Sequence, residues 1–304
     1  MKEYPFGLHD NPFRLTPDTE YFFPSEEHKI ALKILEYAFS SDEPFTVIVG
    51  DVGVGKTITL RKALKEIPEN KEIALILTSN LSPDEILEAI VTDLGLNKED
   101  CKSKEDFLKK IQEYVTSLAE KDKSLIVIID EAQNLSLETL EQLRLLSNIE
   151  LEKKKLLQIV LLGQNELGKK IKRLKQLKQR ITISEYLGFL KKSEVPEYIN
   201  FRLSKAGKGD VIITRYAMRY VARLSHGIPR LINSIMGRAL LLAYSNGKNI
   251  ISYNVVRQAA KTLSIKNTPK WWYFLLAAVI LIFIVLFLFD EKIVGIVSEL
   301  IKQK

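Results

Sequence analysis

Gly50-Asp51-Val52-Gly53-Val54-Gly55-Lys56-Thr57 follows the apolar run Phe45–Val49 and precedes a helical pattern through Leu60, Ala63 and Leu64. The order is strand, glycine-rich loop, helix, with the spacing G-x-x-x-x-G-K-[ST]. Glycines at Gly50, Gly53 and Gly55 let successive backbone N–H groups turn inward onto phosphate oxygens, and the start of the next helix adds its positive end. Lys56 is placed to reach the β- and γ-phosphates and Thr57 to set its hydroxyl on Mg²⁺, with Asp51, Val52, Val54 and Ile58 completing the cradle. A glycine-rich turn without a ligand is the competing reading, but both the spacing and the flanks favour phosphate. The expected ligand is a nucleotide, ATP with Mg²⁺.

The chain has 304 residues, room for about two domains. Apolar residues make up 46% and charged residues 27%, a globular composition. The formal net charge of +7 and a pI near 9.1 point to an anionic partner without choosing among nucleotide, nucleic acid and an acidic membrane surface. One cysteine, Cys101, rules out an internal disulfide framework or a cysteine-based zinc site. His9, His28 and His226 are too scattered for metal-ligand spacing and read as surface or packing residues. The N-terminus carries no apolar signal sequence, so the bulk of the chain is expected in the cytoplasm.

Residues 1–25 form an aromatic, turn-rich arm expected to pack on a domain, either as plain packing or beside an adenine ring. A helix is expected over 26–39. Ile73–Thr78 reads as a buried strand, followed by two helical patterns. Leu125–Glu131 is an apolar strand that ends in Asp130 and Glu131, at the edge where parallel sheets bind ligands. Asp130 is expected to hold Mg²⁺, and Glu131 to orient and deprotonate the water that attacks the γ-phosphate. The next apolar strand, Leu156–Leu162, leads to Gln164, placed to touch the γ-phosphate or the attacking water, with ordinary loop hydrogen bonding as the alternative. A basic segment then runs to Arg180, a candidate arginine finger for a neighbouring subunit's nucleotide or else a solvated arginine. A last strand covers Ile181–Tyr186. Four helical patterns over 188–264 form a small domain, where Arg230 follows Gly227-Ile228-Pro229 and is either a γ-phosphate contact or a surface arginine. The expected fold is α/β: a P-loop parallel-sheet sandwich (26–187) with a small α-helical lid (188–264). After a linker at 265–270, Trp271–Phe289 carries no charge and is long enough to span a bilayer, with Trp271, Trp272 and Tyr273 as an interfacial belt. Basic residues precede it and Asp290 and Glu291 follow it, so a single-pass inner-membrane helix is expected, with the nucleotide domain cytoplasmic and 290–304 as an outer tail.

These motifs in this order resemble the AAA+ ATPases. More narrowly, FGLHDNPFRLTPD at 6–18, DEAQNLSLETLEQLRLLSNIE at 130–150, LLQIVLLGQNEL at 156–167, LKQLKQRI at 174–181 and HGIPRLIN at 226–233 are similar to the ExeA-type, general secretion pathway protein A family. The resemblance covers residues 4–264. It implies ATP hydrolysis driving envelope work of a secretion, pilus or exopolysaccharide kind, carried by Lys56, Thr57, Asp130, Glu131, Gln164, Arg180 and Arg230. The trans role of Arg180 requires self-association into a ring or smaller oligomer, the uncharged span requires contact with the lipid bilayer, and an inner-membrane or envelope assembly partner is expected. Asn165 stands where the family commonly has proline, and the peptidoglycan-binding region of long members has no counterpart here. Two other readings stay open: a DNA-binding regulator like the transposition ATPases, supported by the basic segment Lys153–Arg180 but lacking a DNA-reading module, and a slow ATP-dependent switch. Nucleic acid is the less expected partner.

Overall fold

Strands that are apolar on both faces need cover on both sides, and that requirement builds this molecule. In the computed structural model, residues 4–41, 43–77, 80–151, 154–207, 209–265 and 278–282 are described. Residues up to Leu263 form one compact unit, and a second begins at Ser264.

Helix α1 (Glu26–Ser40) starts at Ser25, whose hydroxyl accepts the His28 N–H. Strand β1 (Phe45–Gly50) leads through the glycine-rich loop into α2 (Lys56–Ala63). Strand β2 (Lys71–Ile76), α3 (Pro83–Asp93), α4 (Lys104–Ala119) and β3 (Ser124–Ile129) follow. Both α3 and α4 open on reciprocal capping boxes, Ser82 with Glu85 and Ser103 with Asp106. After α5 (Leu137–Leu146) come a small hairpin, β4 (Glu150–Leu151) with β5 (Lys154–Lys155), and then β6 (Leu157–Gly163), α6 (Asn165–Arg173), α7 (Lys175–Arg180) and β7 (Ile181–Leu187). The main sheet has five strands in the order β2-β3-β6-β1-β7, all parallel.

Alternation along β3 shows how the layers form. Leu125, Val127 and Ile129 enter the core under α3, α4 and α5, while Ile126 and Ile128 enter the opposite core with Ala31, Leu35 and Leu60 of α1 and α2. Each such aliphatic side chain contributes about 1.5–3 kcal/mol on burial.

Two expectations need adjustment. β2 starts two residues earlier than Ile73, because its pairing with β3 runs from Lys71 opposite Ser124 to Ile76 opposite Ile129, where β3 itself ends. The basic segment before Arg180 is two helices. Leu167, Ile171 and Leu177 are buried at helical spacing, and most of the cations lie on the outer side.

The helices after β7, referred to below as the lid, are α8 (Glu194–Lys205), α9 (Arg215–Ser225), α10 (Pro229–Ser245) and α11 (Tyr253–Thr262); they pack around Val221, Ile235, Met236 and Val256 within the same compact unit as the sheet. A two-residue parallel pair, β8 (Ile212–Ile213) and β9 (Ile250–Ile251), ties its ends. The aromatic arm is an ordered part of this unit: Leu8, Phe13, Tyr21 and Phe22 are buried. Tyr21 lies between two guanidiniums, with Arg14 at 5.0 Å and Arg202 at 4.8 Å from its ring centre.

The expected membrane placement is corrected here. Among the described residues, no helix is long and apolar enough to cross a membrane. Within 271–289 only Ala278–Ile282 are described, as helix. The single-pass inner-membrane localisation built on that span therefore does not stand. The linker, the aromatic belt at Trp271–Tyr273 and the tail beyond Asp290 lie outside the described residues, apart from Ile265.

Candidate functional site

The strand order decides what meets at the sheet's carboxyl edge. β6 lies between β1 and β3, so Gln164 stands between the phosphate loop and the Asp130–Glu131 pair. The loop itself needs its glycines. Gly53 and Gly55 sit at φ +78° and +113°, and a Cβ on Gly55 would lie 2.6 Å from His28 Nε2.

Lys56 is buried, its Nζ donating to the carbonyls of Gly50 at 2.9 Å and Asp51 at 3.1 Å. Burial lowers the pKa of its ammonium, and the charges of Glu131, Asp130 and Asp51 partly offset this. The Thr57 hydroxyl donates to Asp130 Oδ2 at 2.6 Å, and the other carboxylate oxygen of Asp130 accepts the Glu131 N–H at 2.9 Å. Two hard oxygens from Thr57 and Asp130 thus lie side by side. Among the described residues no cluster of three His, Cys, Asp or Glu could hold a metal alone. This donor set fits Mg²⁺, which takes one or two protein oxygens and completes its shell with phosphate and water.

Glu131 is in the left-handed region, φ +56°, and lines the cavity described below. Its Oε2 accepts from Gln133 Nε2 at 2.6 Å and from Gln164 Nε2 at 3.3 Å. Gln133 also accepts the Gln164 N–H at 2.9 Å through Oε1. Sequence reasoning assigned Gln133 no role. Its place two residues after Glu131 is the one local signal, and its reach across to β6 is tertiary.

From the lid, the Arg230 N–H donates to Gly53 O at 3.2 Å, so the start of α10 rests on the phosphate loop. His28 is buried and bonds the loop from the other side, its Nε2 to Val54 O at 2.9 Å and its Nδ1 to Ser25 Oγ at 2.6 Å. A carbonyl only accepts, so Nε2 carries the proton and Nδ1 accepts the serine hydroxyl. Burial holds this imidazole below its ordinary pKa.

These groups converge on a cavity of ≈370 Å³. Its walls include Gly53, Gly55, Lys56, Thr57, Ile58, Glu131, Gln164 and Arg230, with Leu15–Asp18 and Tyr21–Phe23 of the arm and Tyr198, Arg202 and Asn233 of the lid. Val52 is also on the wall, while Gly50, Asp51, Val54 and Asp130 sit just behind it. Arg180 is not brought to this cavity. At the end of α7 its guanidinium donates to Ser147 Oγ at 3.2 Å.

An AAA domain family matches residues 40–171. The chain is 38% identical over 269 residues, 88% of its length, to general secretion pathway protein A of Aeromonas hydrophila, and spans 49% of that protein. Among solved structures, Cdc6p of Pyrobaculum aerophilum aligns with a TM-score of 0.66 at 18% identity, over 84% of this chain and 71% of that one. ORC1 of Aeropyrum pernix, solved in complex with DNA, aligns at 0.61 and 16% identity over 83% and 69%. At such identities the likeness is one of fold. With an AAA domain at the phosphate loop and 38% identity over 88% of its length, this chain belongs to the AAA+ ATPases of the general secretion pathway protein A type.

Proposed function

We propose that this protein hydrolyses ATP to ADP and phosphate, with Mg²⁺, and uses the cycle to power or regulate assembly of an envelope system. The observation that carries the chemistry is the convergence of Lys56, Thr57, Asp130, Glu131, Gln164 and Arg230 at one sheet edge, on or directly behind the wall of one cavity. Phosphates lie along the loop N–H groups with Lys56 on the β- and γ-oxygens, and the base end faces the arm. Thr57 and Asp130 hold the metal, which supplies charge neutralisation at the phosphates. Glu131, steadied by two amides, accepts the proton of the attacking water. Gln164 and Arg230 contact the γ-phosphate, and Arg230 links lid position to nucleotide state. Arg180, remote from its own chain's cavity, serves a neighbouring subunit in an oligomer. The envelope role rests on relatedness to general secretion pathway protein A, of which this chain spans about half.

The test is steady-state ATPase activity and oligomeric mass of the full chain, wild type against Glu131→Gln and Arg180→Ala. Glu131→Gln is expected to bind ATP and lose at least about 100-fold in kcat. Arg180→Ala is expected to lose activity in the assembled state alone. Wild-type turnover no higher than that of Glu131→Gln would replace the motor with an ATP-dependent switch.

A further inference from the structure

Asp51, a non-glycine residue of the phosphate loop, is held from both sides of β1, by the first residue of α6 just beyond β6 and by a residue of β7. Asn165 Nδ2 donates to Asp51 Oδ1 at 2.8 Å, and Tyr186 OH donates to Asp51 Oδ2 at 2.7 Å. Strand register explains the meeting. Val49 pairs with Gly163 on β6 and with Tyr186 on β7, so Asp51 and Asn165 each lie two residues beyond a paired position. Both carboxylate oxygens are engaged, by one donor from each side. The Asp51 carbonyl meanwhile accepts from Lys56 Nζ, as does that of Gly50, so one of the two residues that anchor the lysine is tied sideways. Asn165 directly follows Gln164, whose amide reaches Glu131. Proline, which the family resemblance leads one to expect at this position, has no side-chain donor and cannot make this bond.

We propose that Asp51, Asn165 and Tyr186 act as positioning residues, fixing the phosphate loop to the tips of β6 and β7 so that Lys56 and Gln164 keep a set separation across the γ-phosphate. The proposal rests on the ATPase reading above. The same contact raises the Tyr186 pKa, chiefly because its hydroxyl donates to Asp51, with burial adding to it. The chemical consequence is one of alignment. Misplacing a positioned group by an ångström costs up to about 100-fold in rate while leaving most ground-state contacts in place.

Asp51→Ala, Asn165→Ala, the double variant and Tyr186→Phe, all in the full chain, test this in two ways. Steady-state kinetics and ATP binding are measured first, with Asp51→Asn as the conservative rescue. Each single alanine variant is expected to lower kcat about tenfold with the ATP Kd within about twofold, and the double variant to lower it no further than either single. Tyr186→Phe is expected to fall between them and wild type, and Asp51→Asn to recover part of the loss. Second, amide hydrogen exchange with a non-hydrolysable ATP analogue is followed over residues 50–57 and 163–167. Asn165→Ala is expected to speed exchange in both segments together. Unchanged kcat with only a lower Tm, or fully additive losses, would overturn the positioning role. If wild type fails to exceed Glu131→Gln in turnover, the ATPase reading falls and exchange alone decides. Faster exchange in only one segment then overturns the coupling. Should Asp51→Ala not fold, Asn165→Ala and Tyr186→Phe carry the same comparisons.

Discussion

At the scale of single residues, the site is held by amides that make no chemistry of their own. Gln133 is the clearest case. It spans from Glu131 Oε2 to the Gln164 backbone with both ends of one side chain, and it is buried. Replacing it by leucine removes a donor to a carboxylate and an acceptor for a backbone N–H while preserving most of its volume. Gln133→Leu is expected to lower kcat about tenfold with little change in ATP affinity, read by turnover against nucleotide titration. A raised Kd at unchanged kcat would count against that role. Asp130 and Glu131 announce themselves in the sequence, as acids at the end of an apolar strand. Gln133 does not, because its partner lies 31 positions away, just past the end of another strand.

At the scale of elements, α1 and the phosphate loop share one imidazole. His28 ties Ser25, the N-cap of α1, to Val54 O. Burial lowers its pKa below 6.5 most strongly, while the Val54 bond and the charges of Glu194 and Glu27 pull the other way. A folded-state pKa below the unfolded one means that the unfolded chain binds the extra proton between the two values. Stability tied to His28 is therefore complete above about pH 6.5 and declines as pH drops through that value. His28→Gln keeps an N–H for Val54 without a titrating ring. Melting at pH 7.5 and 5.5 is expected to show a smaller acid-induced drop in Tm for His28→Gln than for wild type. Equal drops would assign the acid sensitivity elsewhere.

At the scale of the whole molecule, sheet and lid meet at the phosphate loop. Gly53 carries a φ of +78°, and a Cβ there would stand 2.7 Å from Arg230 Cβ. Gly53→Ala therefore strains the loop and pushes α10 away at once. It is expected to cost about 1–2 kcal/mol from backbone handedness alone, lowering Tm by about 2–4 °C or more for a unit of this size. ATP affinity should fall with it, because Arg230 is displaced from the cavity wall. Differential scanning calorimetry together with nucleotide titration reads both. Residues 211–265, which include α9 to α11, contain no carboxylate and eight lysines or arginines, so the lid's acids are confined to α8 and the turn after it.

The chain's own order of residues determined the phosphate loop, the acid-ended strand, the alternation of strands and helices, and the switch to helices after Leu187. Each of these is written in local spacing: glycines for positive φ, apolar runs for doubly covered strands, a threefold-to-fourfold periodicity for helices. The α6–α7 pair was obscured because its cations outnumber its core leucines and isoleucine, though its buried positions keep helical spacing. Tertiary structure alone decided that β6 separates β1 from β3, that the aromatic arm walls the cavity, that Arg180 turns away to Ser147, and that Asn165 and Tyr186 grip Asp51. Those contacts join residues far apart in the chain, and their partners are selected by sheet order and register, which no single segment encodes.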